Sequence, residues 1–286
     1  MMNADIKIIF QDVDGCLNPE DGEAFGVAVD WEPSSAQVTM LEAIDAAVDA
    51  STLEHFVINT GRPWPLVRNL VKHFKSPKLR YLLLEHACVL YDREQDLFVN
   101  CAELAEHYGL SELSTRYRQI EVIQTLFDWY QSRGQAQLEA HYATDLTPVE
   151  KLGNLSIVIP EGVDGEEMLA RIEALARAQL DEREMDQLDF LRSDRYLDIL
   201  PGIHKLDGIH LLSAHFGLSL DAAMAVGDYL NDLSVFESFS RVMCPANAHP
   251  EIKELAQSKA ESGHVSHLSY GAALLELLGA GCVDAG

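Results

Sequence analysis

Apolar residues fall along this chain in two alternating rhythms. Short runs rich in Ile, Val and Leu, at Ile6 to Phe10, Leu53 to Asn59 and Tyr81 to Leu84, read as buried strands. A strand covered on both faces has no polar side to show. Between these runs the apolar positions spread to helical spacing. Val38, Leu41, Ile44 and Val48 share one face of a helix expected from Ser34 or Ser35 to about Ala50, with serine placed to cap it. Pro63 to Phe74 reads as a second helix, with proline near its start, where a missing N–H costs least. A loop rich in Gly, Pro, Asn and Asp, from Gly15 to Pro33, separates the first strand from the first helix. Strands and helices alternating at this spacing predict βαβ units and a parallel sheet.

The rhythm changes near Glu85. A hairpin is expected there (Cys88 to Tyr91, then Leu97 to Val99), followed by a long helical stretch over Leu113 to Arg133. Leu155 to Pro160 reads as a strand, Asp164 to Leu180 as a helix and Arg195 to Leu200 as another strand. After Pro201-Gly202 the first rhythm returns. A helix is expected over His204 to Phe216, a core strand over Ala222 to Val226, and a helix opening over Asn231 to Phe236. The expected fold class is α/β. A Rossmann-like parallel-sheet core, residues 1–84 and 201–286, is interrupted by an inserted α+β unit, residues 85–200.

Composition narrows the range of functions. Lys and Arg number 21 against 46 Asp and Glu in 286 residues, a formal net charge of −25. Nucleic-acid binding through counterion release needs a basic face, and so does adhesion to anionic membranes; neither is expected here. At 48% hydrophobic the chain is a packed globular protein rather than an acidic disordered one. The amino terminus lacks the basic flank and apolar run of a signal peptide, and no segment approaches the roughly 18 apolar residues of a membrane span. Cys16, Cys88, Cys101, Cys244 and Cys282 are odd in number and dispersed, which fits reduced thiols in a cytoplasm better than a disulfide framework or a zinc site. Asn154-Leu155-Ser156 matches the glycosylation triplet, but without secretion the match carries no weight.

Candidate chemistry gathers where the core strands end. Ligands of open parallel sheets collect at the carboxyl ends of strands. The first strand ends in Asp12-Val13-Asp14-Gly15, two aspartates two apart followed by a residue that lets the chain turn. After the second strand comes Asn59-Thr60-Gly61-Arg62, with a hydroxyl and backbone amides suited to a phosphoryl oxygen and an Arg62 placed to pair with a nearby acid. Lys205 opens a helix, where the dipole favours anions, so a lysine there suggests an anion held against both. Gly227-Asp228-Tyr229-Leu230-Asn231-Asp232 follows the apolar strand Ala222 to Val226. Carboxylates at a strand end suit a hard cation with oxygen ligands.

Taken in this order, DxDG, TGR, Lys and GDxxND, the strings resemble the four-motif set of the haloacid dehalogenase-like phosphohydrolases. Val242 to Ala248 resembles that family's last strand and loop. An insert between the second and third strings is similar to the Cof-type branch, which has a large α/β cap there and contains many sugar-phosphate phosphatases. Glu85-His86-Ala87 stands where many members of that branch show Asn-Gly-Ala, and Gln11 before the first aspartate is also unusual.

The resemblance implies a phosphatase of a small phosphorylated metabolite. Asp12 would be the nucleophile, forming an aspartyl-phosphate, and Asp14 the acid and then the base. Magnesium would be held by Asp12, the backbone carbonyl of Asp14, Asp228 and Asp232. Thr60, Gly61, Arg62, Lys205 and Asn231 would bind or orient the phosphoryl group. Four carboxylates at about 4 Å repel by roughly 4 kcal/mol per pair at an effective dielectric near 20, so a divalent cation and Lys205 must offset them. The same clustering is expected to raise one carboxyl's pKa, that of Asp14. Leaving-group selection would fall to the insert, with His141, Tyr142, Asn154, Arg192 and Arg195 as candidates. A phosphosugar mutase uses the same chemistry, and a non-catalytic phosphoryl-binding module the same clustered aspartates. The retained Asp14 argues against the latter.

Overall fold

The computed structural model describes residues 5–17, 31–149, 151–192, 196–259 and 262–280. The chain begins with β1 (Ile8–Gln11), α1 (Ser35–Ala50), β2 (His55–Asn59), α2 (Trp64–Val71), β3 (Tyr81–Leu84), β4 (Val89–Asp92) and β5 (Leu97–Val99). Then follow α3 (Cys101–His107), α4 (Ser111–Arg118), α5 (Glu121–Trp129), α6 (Gln135–Tyr142), β6 (Leu155–Val158), α7 (Gly165–Arg177), α8 (Glu182–Met185), β7 (Asp189–Arg192) and β8 (Tyr196–Leu200). It closes with α9 (Lys205–Phe216), β9 (Ala223–Val226), α10 (Leu233–Ser238), β10 (Val242–Cys244), α11 (Pro250–Ser258), β11 (Gly263–Val265) and α12 (Tyr270–Leu278). Two compact units result: Met1–Val99 with Lys205–Gly286, and Asn100–His204.

The first unit is built on an eight-stranded sheet ordered β11-β10-β9-β1-β2-β3-β4-β5. Its six strands from β11 to β3 are parallel, and the β4–β5 hairpin adds an antiparallel edge. The hairpin was expected within the insert, from residue 85. It instead continues the core sheet, because Leu82 and Leu83 of β3 pair with Tyr91 and Leu90 of β4. Alternation along the strands divides the core. Ile9, Ile58, Leu82 and Val226 turn toward α1, α2 and α12, in one cluster with Leu41, Ile44 and Val48. Phe10, on the opposite face of β1, meets Phe239 edge to face at 6.3 Å. Each fully buried side chain of this kind contributes about 1.5–3 kcal/mol. The start of α1 follows from its sequence: Ser34 accepts from the Gln37 N–H while the Gln37 side chain accepts from the Ser34 N–H, a complete capping box.

The inserted unit carries the antiparallel sheet β6-β8-β7. Leu155, Ile157, Leu197 and Ile199 turn one face of it into a cluster with Leu126, Met168 and Ile172 of the helices. The helical stretch expected over Leu113 to Arg133 is broken between α4 and α5 at Gln119 and Ile120. It then runs on through one π-helical turn, Tyr130–Gly134, into α6. Asp164 caps α7 by accepting from the N–H groups of Glu166 and Glu167. Asn154, 0% exposed, is no glycan acceptor. Among the described residues no helix is long and apolar enough to cross a membrane.

Candidate active site

The core sheet reverses direction between β1 and β9: from β1 the chain steps outward to β2 and β3 on one side, and from β9 to β10 and β11 on the other. A crevice opens beyond the carboxyl ends at such a point. Gln11, the last residue of β1, is level with Val226 of β9 and Ile58 of β2. Asp12, Gly227 and Asn59 therefore emerge side by side. The Asp12 N–H still donates to the Val226 carbonyl at 3.0 Å, and the Thr60 N–H to that of Leu83 at 2.9 Å.

Residues far apart in the chain meet here. Lys205 Nζ lies 2.9 Å from Asp12 Oδ2 and 2.7 Å from Asp232 Oδ1, with all three side chains buried. Asp12, Asp228 and Asp232 bring carboxylate oxygens within 4.8 Å of one another. The Asp228 N–H donates to Asp232 Oδ2 at 3.2 Å, and the Val13 N–H to Asp12 Oδ1 at 2.8 Å. Close backbone approach is required at Gly15, whose φ is 66°. A Cβ there would stand 1.8 Å from Asp228 Oδ2. The turn is fixed from outside by Asn247, whose Nδ2 donates to the Gly15 carbonyl at 2.8 Å.

Asp14 stands apart from the three carboxylates. Arg62 Nε donates to its Oδ1 at 2.8 Å and its Oδ2 at 3.0 Å. Thr60, fully buried, accepts from the Arg62 N–H through Oγ1 at 3.2 Å, so hydroxyl and guanidinium are set by one loop. Asn231 lies in the short turn Leu230–Asp232, and its buried Oδ1 has no hydrogen-bond partner.

Burial governs the charges. It pushes the Asp12 carboxyl well above the usual carboxylate range, with Lys205 opposing and Asp232 and Asp14 reinforcing. Burial also works against the Lys205 ammonium, but Asp12 and Asp232 outweigh it and hold the group above the usual lysine range. Cys16, whose Sγ lies 3.8 Å from Asp228 Oδ1, is kept a thiol by burial and by that carboxylate.

Three buried carboxylates with one ammonium leave a net deficit of positive charge, which a hard divalent cation with oxygen ligands offsets. The donor set of Asp12, Asp228 and Asp232, closed in by the Gly15 turn, fits magnesium.

The insert's candidate residues do not gather in the same way. His141 and Tyr142 both contact Glu167, at 3.7 Å and 3.1 Å. Arg192 pairs with Glu166 at 2.8 Å, and Asn154 Nδ2 donates to Asp198 at 3.1 Å. Arg195 lies outside the described residues. Sequence reasoning missed Asn247 and Cys16 as neighbours of the site. Asn247 falls in the quoted final loop, but nothing local marks its reach of 232 residues back to Gly15.

Comparison with known proteins bears on the family and the fold. The HMP-PP phosphatase of Citrobacter koseri is 42% identical over 57 residues, 20% of this chain and 21% of that protein. The chain spans only 21–30% of the length of the curated relatives it matches. Among solved structures, the sucrose-phosphatase of Synechocystis sp. PCC6803, in complex with sucrose and phosphate, superposes with a TM-score of 0.59 at 16% identity, covering 96% of each chain. A HAD/COF-like hydrolase from Plasmodium vivax gives 0.58 at 16% identity, covering 96% of this chain and 95% of that one. At such identity the likeness is one of fold. Residues 39–264, which take in the second, third and fourth strings, match the haloacid dehalogenase-like hydrolases. The chain belongs to the haloacid dehalogenase-like hydrolase family.

Proposed function

We propose that this protein is a magnesium-dependent phosphatase that hydrolyses a small phosphorylated metabolite, a sugar phosphate, through an aspartyl-phosphate on Asp12. The observation that carries the reading is the position of Lys205 Nζ, 2.9 Å from Asp12 and 2.7 Å from Asp232. It joins a nucleophile from the first strand end to the carboxylates of the last string. A magnesium ion held by Asp12, Asp228, Asp232 and the Asp14 carbonyl would supply the positive charge that a phosphate dianion needs in order to enter.

The chain's own residues divide the work. Asp12 attacks phosphorus in line, forming the Asp12–phosphorus bond as the bond to the leaving oxygen breaks. Asp14, paired with Arg62 here, takes up a proton from solvent as the phosphate ester draws the guanidinium to its own oxygens, and gives that proton to the leaving oxygen. In the second half Asp14 takes a proton from water, the water oxygen attacks phosphorus, and the Asp12–phosphorus bond breaks. Lys205 keeps the Asp12 carboxylate turned toward the site and shares in holding the phosphoryl oxygens. Thr60, the Gly61 amide and Asn231 orient the same oxygens as the transition-state charge develops. The sugar-phosphate assignment is supported by the fold shared with the sucrose-phosphatase. Choice of leaving group is assigned to Asn100–His204, the unit placed between the second and third strings.

A phosphate-release screen across sugar phosphates, nucleotides and glycerate derivatives tests this. Release with magnesium, abolished by excess chelator and restored by magnesium, is the expected result. Turnover unchanged by chelator would contradict it. Isomer formation that requires a bisphosphorylated sugar would make the protein a mutase instead.

A further inference from the structure

The Glu85–Ala87 turn after β3 is the most unusual passage of backbone among the described residues. Three successive non-glycine residues lie in the left-handed region: Glu85 at φ 54°, His86 at 59° and Ala87 at 74°. Each sets its Cβ against a neighbouring carbonyl in that conformation, so the run persists only because its surroundings hold it. All three residues are buried.

Those surroundings are the two halves of the site. The Glu85 N–H donates to the Arg62 carbonyl at 3.2 Å, and the His86 N–H to that of Thr60 at 3.0 Å. A Cβ on Gly61 would lie 2.7 Å from His86 Nε2 and 2.8 Å from Cε1, so the imidazole is pressed against the glycine. On the other side a Cβ on Gly208 would lie 2.5 Å from that of Ala87. Gly208 stands about one helical turn beyond Lys205 on α9. The turn is a wedge between the loop that carries Thr60 and Arg62 and the helix that carries Lys205. A glycine would take the His86 backbone conformation without strain. This chain holds an imidazole there in spite of the strain.

The geometry points to His86 as a positioning residue of the phosphoryl-binding loop. Its ring, pressed on Gly61, sets where the Gly61 amide stands and how Arg62 meets Asp14. This rests on the reading of the site as a phosphoryl-transfer centre. The ring acts through the loop and performs no proton transfer of its own.

The test compares wild type with His86→Gly, which keeps the backbone path and removes the ring. With p-nitrophenyl phosphate and magnesium, kcat is expected to fall and the inhibition constant of orthovanadate to rise, both by about ten- to a hundredfold, with KM little changed. A structural filler would lower only the thermal midpoint. Gly61→Ala alone is expected to lose activity, and to regain part of it when combined with His86→Gly, because the ring its methyl would strike is gone. Wild-type kcat and orthovanadate inhibition in folded His86→Gly, or no recovery in the double variant, overturns the inference. If the glycine variant does not fold, His86→Asn, a residue type that tolerates this region, carries the comparison. Loss of fold in both makes the ring structural and overturns the inference too. A wild type that releases no phosphate from any ester fails the phosphatase reading and takes the inference with it. An active wild type beside an unaffected His86→Gly overturns the inference alone.

Discussion

Replacing Lys205 by methionine tests the electrostatics of the site, because it keeps most of the stem and removes the charge. Lys205 Nζ lies 2.9 Å from Asp12 Oδ2 and 2.7 Å from Asp232 Oδ1. At an effective dielectric near 20 each contact is worth about 6 kcal/mol of Coulomb attraction before the desolvation of these buried groups is subtracted. The variant leaves Asp12, Asp228 and Asp232 with oxygens within 4.8 Å and no ammonium between them. Charges at that distance repel by about 3.5 kcal/mol, so three pairs reach about 10 kcal/mol, comparable to the whole stability of a domain. One carboxyl must take up a proton, which at pH 7 costs an ordinary carboxyl about 4 kcal/mol. Proton uptake limits the loss, and the expected destabilisation is about 3–5 kcal/mol, the range of broken buried pairs. The assay is urea unfolding of magnesium-free protein at pH 7. It is followed through Trp31 and Trp64, which belong to the same unit as the site, in a Trp129→Phe background. With an m-value of about 2–3 kcal/mol/M the midpoint should fall by about 1–2 M. Added magnesium should restore part of it by taking over the offset of charge. A midpoint within about 0.3 M of the parent protein would refute the claim that Lys205 compensates the cluster.

Two further perturbations probe other parts of the account. In Gly15→Ala the methyl would stand 1.8 Å from Asp228 Oδ2, on a backbone with φ of 66°. Turnover should fall by about a hundredfold or more while the stability loss stays near 1–2 kcal/mol, and near-normal turnover would show that Asp228 is not needed where the structure places it. His55 is half-buried and stacked on Phe216 at 3.7 Å; burial, partly opposed by Glu54 and aided by His215, holds its pKa below the usual histidine value. Its stabilising share is therefore present above about pH 6.5 and lost as pH falls through that value, and His55→Gln should flatten the slope of stability against pH below it. An unchanged slope would remove His55 as its source.

The sequence made the α/β class legible because buried parallel strands leave unbroken apolar runs, and because Ser34 and Asp164 mark helix starts through their own side chains. The site was legible for a different reason: its residues fall at strand ends, and a parallel sheet brings strand ends together whatever lies between them. What could not be read depends on distant partners. The hairpin β4–β5 was visible as a hairpin, but only the pairing of Leu83 with Leu90 assigns it to the core sheet. β7 was hidden because Asp189 to Arg192 is half-exposed and charged at both ends, leaving no apolar run to read. α3 buries only Cys101 and Ala105, too few positions to show a helical stripe. In the site, Thr60, Lys205 and the carboxylates carried their chemistry in their residue types. Asn247 and His86 act through where the fold sends them.

The central claim is a covalent phosphoryl group on Asp12. Rapid acid quench of the enzyme turning over p-nitrophenyl phosphate with magnesium, followed by peptide mass spectrometry, tests it directly. The expected result is the mass of one phosphoryl group on the peptide that contains Asp12, absent from Asp12→Asn, which folds normally but does not turn over. Near-normal turnover by Asp12→Asn, or a phosphoryl group trapped on another residue, would contradict the account.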